Sequence, residues 1–128
     1  MLALGIDPGT ALMGYGLIKE ENGGLVPVAY GCIKTKTQDN ISKRLLTIYQ
    51  EIQELLVTHQ PDCLVFESLF FNKNTRTAVS IGQAQGVVLL AAAGACLPVF
   101  EYTPLQVKQA VASYGRASKR QIQQMVQV

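Results

Sequence analysis

The chain has 128 residues, a formal net charge of +2 and 48% hydrophobic residues, which indicates one globular domain and excludes a disordered or collagen-like chain. Its charge is unevenly distributed: residues 1–67 carry eight acids and five bases, whereas residues 68–128 carry one acid and six bases. The basic second half favours a polyanionic partner such as a nucleic acid, although an ordinary solvated surface gives the same pattern.

The first part of the chain predicts three strands joined by tight turns. A short apolar run covers residues 2–6 and ends at an Asp-Pro-Gly turn. A second run covers 15–19, and a third covers 25–35 after the hairpin signal Asn-Gly-Gly. Gly31 is a candidate bulge in the third strand. Three strands in this order predict an antiparallel meander.

Helices and strands then alternate. Asp39 or Asn40 can cap a helix whose apolar residues recur every three or four positions up to Pro61. The later predicted elements are a strand over 63–66, a helix over 75–95, a strand over 97–100, and helices beginning at Thr103 and Ser118. Strands reached through helices run parallel to the first strand. The sequence thus predicts an α/β fold with a mixed five-stranded sheet, three antiparallel strands followed by two parallel ones, and flanking helices.

Cysteine usage and hydropathy predict a cytoplasmic protein without a membrane partner. Cys32, Cys63 and Cys96 are widely spaced and form no CxxC pair, so we expect buried thiols in a reducing compartment. The N-terminus lacks the basic segment of a signal peptide. The uncharged stretch over 77–100 is interrupted by polar residues and glycines, which favours a buried or partner-facing helix over a membrane span.

Two acids, Asp7 and Glu67, each close an apolar strand, and these strands are predicted to be parallel neighbours. Ligand sites in α/β sheets lie at such carboxyl ends. Two adjacent carboxylates repel each other unless a cation joins them or one is protonated. Because the available ligands are oxygens, with no His or Cys nearby, the pattern predicts a Mg²⁺ or Mn²⁺ site. Alternatively, each acid only caps a turn.

Aromatic and basic residues in the second half indicate a nucleic-acid-binding surface. The candidates are Phe70, Lys73, Arg76, Lys108, Lys119 and Arg120. Aromatic rings among bases near a metal site are typical of stacking on unpaired nucleotides. Lys119 lies in a predicted first helical turn, where backbone N–H groups can help bind phosphate. The alternatives are a phenylalanine in the core and a basic face that only contacts solvent.

Several motifs, in one register along the whole chain, resemble the RuvC-type Holliday junction resolvases. They are Gly-Ile-Asp-Pro-Gly-Thr at 5–10, Gly-Tyr-Gly at 14–16, Gly-Cys-Ile-Lys-Thr at 31–35, Glu67 with Phe70, Gly-Gln-Ala-Gln-Gly at 82–86, Pro-Val-Phe-Glu-Tyr at 98–102 and Gln-Val-Lys-Gln at 106–109. Each motif alone is modest, but together they are specific. Gln85 departs from the family pattern, in which arginine is usual.

The resemblance implies an RNase H-like fold and a homodimer, formed through the 75–95 helix, that nicks four-way DNA junctions in recombination and repair. Asp7 and Glu67 match metal-binding catalytic carboxylates, with two Mg²⁺ ions per active site in the intact protein. Phe70 matches an aromatic residue that stacks on junction bases, and Lys108 and Lys119 match lysines that contact DNA. The resemblance also implies branch-migration motor proteins as partners.

One departure concerns the end of the chain. The family has a final helix with two aspartates that complete the metal site, whereas the only acid after Glu67 here is Glu101, at the end of the last predicted strand. We therefore expect residues 1–128 to be a single nuclease domain truncated at its C-terminus, with weak or absent activity. An in-frame helix with an Asp-x-x-Asp pair beyond Val128 is the observation that favours an enzyme.

Two other functions fit parts of the sequence. A natural stop after Val128 favours a junction-binding module without nuclease activity. A fragment of an actin-like protein or sugar kinase is the third possibility, since Asp-Pro-Gly-Thr at 7–10 also resembles the phosphate loop of that class. Such a fragment requires a second glycine-rich loop for adenosine, for which the chain has no room.

Overall fold

The computed structural model of the chain describes residues 1–67 and 75–102. In chain order, its elements are β1 (Leu2–Asp7), β2 (Leu12–Glu21), β3 (Gly24–Lys34), α1 (Ile41–His59), β4 (Cys63–Glu67), α2 (Thr75–Gly94) and β5 (Val99–Tyr102). The five strands form one sheet in the order β3-β2-β1-β4-β5. The pairs β1–β2 and β2–β3 are antiparallel, and β1–β4 and β4–β5 are parallel. The predicted mixed sheet is confirmed.

The parallel pairing of β1 with β4 is fixed at its start by Asp62. The Leu2 N–H donates to the Asp62 carboxylate at 2.7 Å, and the Asp62 N–H donates to the Leu2 carbonyl at 2.7 Å. Further along, Ile6 lies opposite Phe66. Since a slip of one residue reverses the face of every side chain, this register decides which residues of the two strands reach the core.

Helix α1 returns the chain from the meander to the centre of the sheet. At its start, the Asn40 side chain accepts a hydrogen bond from the Lys43 N–H at 2.9 Å, so Asn40 and not Asp39 is the N-cap. At its end, Gln60 adopts a left-handed conformation and donates its N–H to the Leu56 carbonyl. The chain then turns at Pro61 into β4.

The core lies between one face of the sheet and the two helices. It contains Leu4, Ile6, Met13, Leu17, Ile33, Leu64 and Phe66 from the strands, Ile48, Ile52 and Leu56 from α1, and Ala84, Val88, Ala91 and Ala92 from α2. Along each of these strands, the core residues alternate with residues on the opposite face of the sheet. No helix in the described part of the chain is long and apolar enough to span a membrane.

The last strand begins two residues later than predicted, at Val99 instead of Leu97. The reason is the end of α2, where Cys96 has a positive φ of 55° and the Leu97 N–H donates to the Ala92 carbonyl at 2.9 Å. This is the Schellman arrangement that often ends a helix. Leu97 therefore belongs to the helix terminus and cannot yet pair in the sheet.

Two smaller predictions about β3 and the cysteines are corrected. The bulge lies where the register shifts opposite Leu17 and Ile18 and not at Gly31, which pairs regularly with Tyr15. A Cβ at Gly31 would lie 2.6 Å from the Tyr15 hydroxyl oxygen, so glycine makes room for that ring. Only Cys63 is buried; Cys32 and Cys96 are exposed. Cys32 pairs with Gly14 on the sheet face opposite the helices, and Cys96 lies in the helix terminus.

The packing predicts a large difference between two alanine substitutions on α1. Ile52 is fully buried, and Leu46 is 52% exposed. We expect Ile52→Ala to lower the free energy of unfolding by about 2–5 kcal/mol because it leaves a cavity. Leu46→Ala should lower it by less than about 1 kcal/mol. Urea denaturation of both variants measures this, and equal losses would contradict the described core.

Candidate active site

Asp7 and Glu67 lie at the carboxyl ends of adjacent parallel strands. Each residue is the last of its strand, and each follows one member of the Ile6–Phe66 pair. Neighbouring strands lie about 4.8 Å apart. Because Ile6 and Phe66 both point into the core, the next residue of each strand projects from the opposite face of the sheet. The structure therefore brings the two acids to the same edge and the same face.

The surroundings of Asp7 leave its side chain open to a ligand. Asp7 is exposed, whereas Glu67 is half-buried. On the other side of Asp7, β2 presents Gly14, at which an added Cβ would lie 3.6 Å from the Asp7 Cβ. Gly5 and Gly16 pair one step below on this face. Because these glycines have no side chain, a bulky anion such as a phosphodiester can approach the Asp7 carboxylate closely together with its cation.

The turn after Asp7 is compact and buried. Pro8 is buried, and a Cβ at Gly9 would lie 2.2 Å from the Leu12 carbonyl oxygen, so only glycine fits there. Thr10 is 6% exposed. Its hydroxyl donates to the carbonyl of Ser80 in α2 at 2.9 Å. The sequence predicted an Asp-Pro-Gly turn here but not the Ser80 contact, because no local pattern links residues seventy positions apart.

Glu101 does not join the acid pair. It lies opposite Phe66, and its neighbour Tyr102 lies opposite Glu67. Glu101 therefore projects from the face of the sheet opposite to that of Glu67. Within residues 1–67 and 75–102, no three His, Cys, Asp or Glu side chains are placed to hold a metal ion. The described acids at this edge are thus a pair.

The candidate DNA-binding residues fall outside the described side chains. Phe70 and Lys73 lie between β4 and α2, and the remaining three follow β5, namely Lys108, Lys119 and Arg120. Arg76 lies in the first turn of α2, but its side chain is not among those described. Their role in DNA binding stays a prediction.

A five-stranded sheet in the order β3-β2-β1-β4-β5, with three antiparallel and two parallel strands, defines an RNase H-like domain. Residues 3–128 match the family described as crossover junction endodeoxyribonuclease RuvC. The chain belongs to this family of nucleases, as the sequence motifs predicted.

Individual relatives support this assignment along the whole chain. The crossover junction endodeoxyribonuclease RuvC of Desulfitobacterium hafniense is 61% identical over 126 residues, which are 98% of this chain and 76% of that protein. The structure of Thermus thermophilus RuvC superposes with a TM-score of 0.93 at 35% identity and covers 99% of this chain and 78% of its own. T. thermophilus RuvC in complex with a Holliday junction substrate gives a TM-score of 0.94 at 34% identity, with the same coverage.

The acid pair predicts that divalent metal stabilises the fold through Asp7. A ligand that binds only the folded state raises the melting temperature. We expect Mg²⁺ at about ten times its dissociation constant to raise the Tm of the unmodified chain by roughly 3 °C or more. Asp7→Asn should remove this increase, and Asp39→Asn, which alters an acid paired with Lys43 elsewhere, should keep it. If Mg²⁺ raises the Tm of Asp7→Asn by the same amount, Asp7 does not bind the metal.

Proposed function

We propose that this protein is an endonuclease that resolves four-way DNA junctions in recombination and repair by metal-dependent phosphodiester hydrolysis. The observation that carries the proposal is the β1–β4 register, which brings Asp7 and Glu67 to one edge and one face of the sheet. Family membership supports the activity. The complex of T. thermophilus RuvC with a Holliday junction substrate supports the choice of DNA.

The donor chemistry of the acid pair fits Mg²⁺, with Mn²⁺ as a substitute. Carboxylate oxygens are hard ligands, and Mg²⁺ is commonly held in phosphate chemistry by one or two of them. Two such ions supply an activated water and stabilise the leaving oxygen in phosphodiester cleavage. In this chain Asp7 and Glu67 would hold the cations, and the glycines of β1 and β2 would leave room for the DNA backbone beside Asp7.

DNA binding is assigned to the basic half of the chain. Residues 68–128 carry six bases against one acid, and the first turn of α2 contains no acid. Contacts from lysine and arginine to phosphates position the duplex, and stacking by Phe70 acts on opened bases. We assign the phosphate contacts to Lys73, Arg76, Lys108, Lys119 and Arg120.

Helix α2 is proposed to form a homodimer. Between residues 77 and 94 it has no charged residue, and among its described side chains three large apolar ones are exposed: Val79 at 56%, Leu89 at 41% and Leu90 at 64%. An exposed apolar patch on a helix favours a protein partner. A second copy gives a two-fold dimer, and a four-way junction offers two equivalent strands to such a dimer.

The resemblance to the family also implies branch-migration motor proteins as partners, and we place the protein with them in the cytoplasm.

A junction-binding module without nuclease activity is the second candidate function. It is favoured by the position of Glu101 on the face opposite Glu67, which leaves the described acids as a pair. Two carboxylates are too few to hold two metal ions in the geometry that in-line displacement at the phosphate requires. We therefore propose that residues 1–128 by themselves cleave weakly or not at all.

Cleavage of a synthetic four-way junction tests the enzymatic role. In the complete gene product with Mg²⁺, we expect Asp7→Asn and Glu67→Gln to lower the nicking rate at least about a hundredfold, because each removes a metal-holding carboxylate. Gel shifts of the same junction in chelator should change less than about twofold. Asp39→Asn is the control, since Asp39 pairs with Lys43 at the start of α1 and belongs to neither β1 nor β4. Undiminished nicking by Asp7→Asn contradicts the enzyme, and junction shifts with no nicking by the unmodified protein support the binding module.

The proposed dimer is tested by placing a charge on α2. We expect Leu90→Glu to convert a dimer to a monomer in sedimentation equilibrium, because a charge cannot be buried unpaired in an apolar interface. Val57→Glu on α1 is the matched control, since Val57 is 75% exposed and lies outside α2. A dimer that persists in Leu90→Glu but is lost in Val57→Glu assigns the interface to α1 instead.

A further inference from the structure

Thr10 is the one buried polar or charged residue in the described part of the chain. Its hydroxyl donates to the Ser80 carbonyl at 2.9 Å and also contacts the Ser80 hydroxyl. A hydroxyl has a single proton to donate. Because the Thr10 proton points to the carbonyl, the Ser80 hydroxyl donates to the Thr10 oxygen in return. One side chain thus makes two hydrogen bonds to α2.

The other side of the same turn is held through Thr35. The Thr35 hydroxyl donates to the Thr10 carbonyl and accepts from the Arg44 Nε of α1 at 3.0 Å. The Thr35 N–H donates to the Ala11 carbonyl at 3.1 Å. The turn at 8–11 is therefore fixed between α1, the end of β3 and α2.

The backbone of this turn is rigid between Asp7 and Thr10. The ring of Pro8 fixes its φ angle, and the backbone at Gly9 packs so closely on Leu12 that no Cβ fits. A shift of Thr10 is therefore transmitted to the backbone of Asp7. Since β2 presents only Gly14 beside Asp7, no β2 side chain at that position holds the carboxylate in place.

We infer that Thr10 and Ser80 are positioning residues for the metal site: their paired hydroxyls hold the 8–11 turn so that the Asp7 carboxylate is set for a divalent cation. The inference rests on the proposed function, which makes Asp7 a metal ligand. Thr10 and Ser80 act through the backbone of the turn. A purely structural role for the same hydrogen bonds predicts lower stability with unchanged metal affinity.

Mn²⁺ binding, measured by electron paramagnetic resonance, separates these two roles. Thr10→Val keeps the shape of the side chain and removes both hydrogen bonds, and we expect it to weaken Mn²⁺ binding about tenfold. Ser80→Ala removes one bond and should weaken binding about threefold. Thr10→Ser keeps the hydroxyl and should stay within about twofold of the unmodified protein. If Thr10→Val does not fold, Ser80→Ala carries the test.

Two controls distinguish positioning from stability. Thr47→Val also removes a threonine hydroxyl, one that donates to the Lys43 carbonyl within α1. Ile52→Val lowers stability at a fully buried core position. Both should bind Mn²⁺ like the unmodified protein. Unchanged affinity in Thr10→Val and Ser80→Ala, or equal weakening in Ile52→Val, overturns the inference.

The proposed function and this inference fail in different ways. If Asp7→Asn binds Mn²⁺ as well as the unmodified protein, or if neither binds it, Asp7 is not a metal ligand and both fail. If Asp7→Asn loses Mn²⁺ binding and the Thr10 and Ser80 variants keep it, only the positioning role fails. Junction binding in chelator should be unchanged in all of these variants, because the two hydroxyls are assigned no DNA contact.

Discussion

The parallel pairing of β1 with β4 is the constraint on which both the core and the site depend. Helix α1 returns the chain so that the two strands end at the same edge, and Asp62 fixes their start through reciprocal hydrogen bonds with Leu2. With Ile6 opposite Phe66, these two residues fill the core while the acids after them share the other face. A slip of one residue in β4 would place Glu67 among apolar side chains, so packing of the core and placement of the acids select the same register.

The same register brings two acidic side chains to one edge of the sheet. Two carboxylates on adjacent strands repel each other, and a bound cation removes that repulsion. The buried residues on the helix side, such as Leu4, Ile52 and Leu64, hold the strands together regardless of the cation. Strand geometry therefore does not depend on the metal. This is the arrangement that a preorganised metal site requires, because the ligands are placed before the ion arrives.

Local patterns in the sequence predicted the strands, α1, α2 and the mixed sense of the sheet, because alternation, helical spacing and turn residues act over a few positions. The start of β5 was misplaced because the Schellman arrangement at Cys96 and Leu97 requires a left-handed cysteine, which composition does not reveal. The neighbouring positions of Asp7 and Glu67 followed from the crossover rule. The Thr10–Ser80 contact could not be predicted from the sequence, since it depends on how α2 packs against a turn seventy residues earlier.

Helix α2 connects two parts of the proposed mechanism. Its exposed face, with Val79 and Leu90, is the proposed dimer surface, and its Ser80 holds the turn that follows Asp7. The β1 strand itself is fixed by backbone pairing on both sides, whereas the turn is fixed to α2 through side-chain hydroxyls. A shift of α2 therefore acts on the proposed metal site through the turn and leaves the strand pairing intact. In the proposed dimer, association of two copies and alignment of the two proposed metal sites would share one helix, which would tie the proposed cleavage of one strand to the presence of the second subunit.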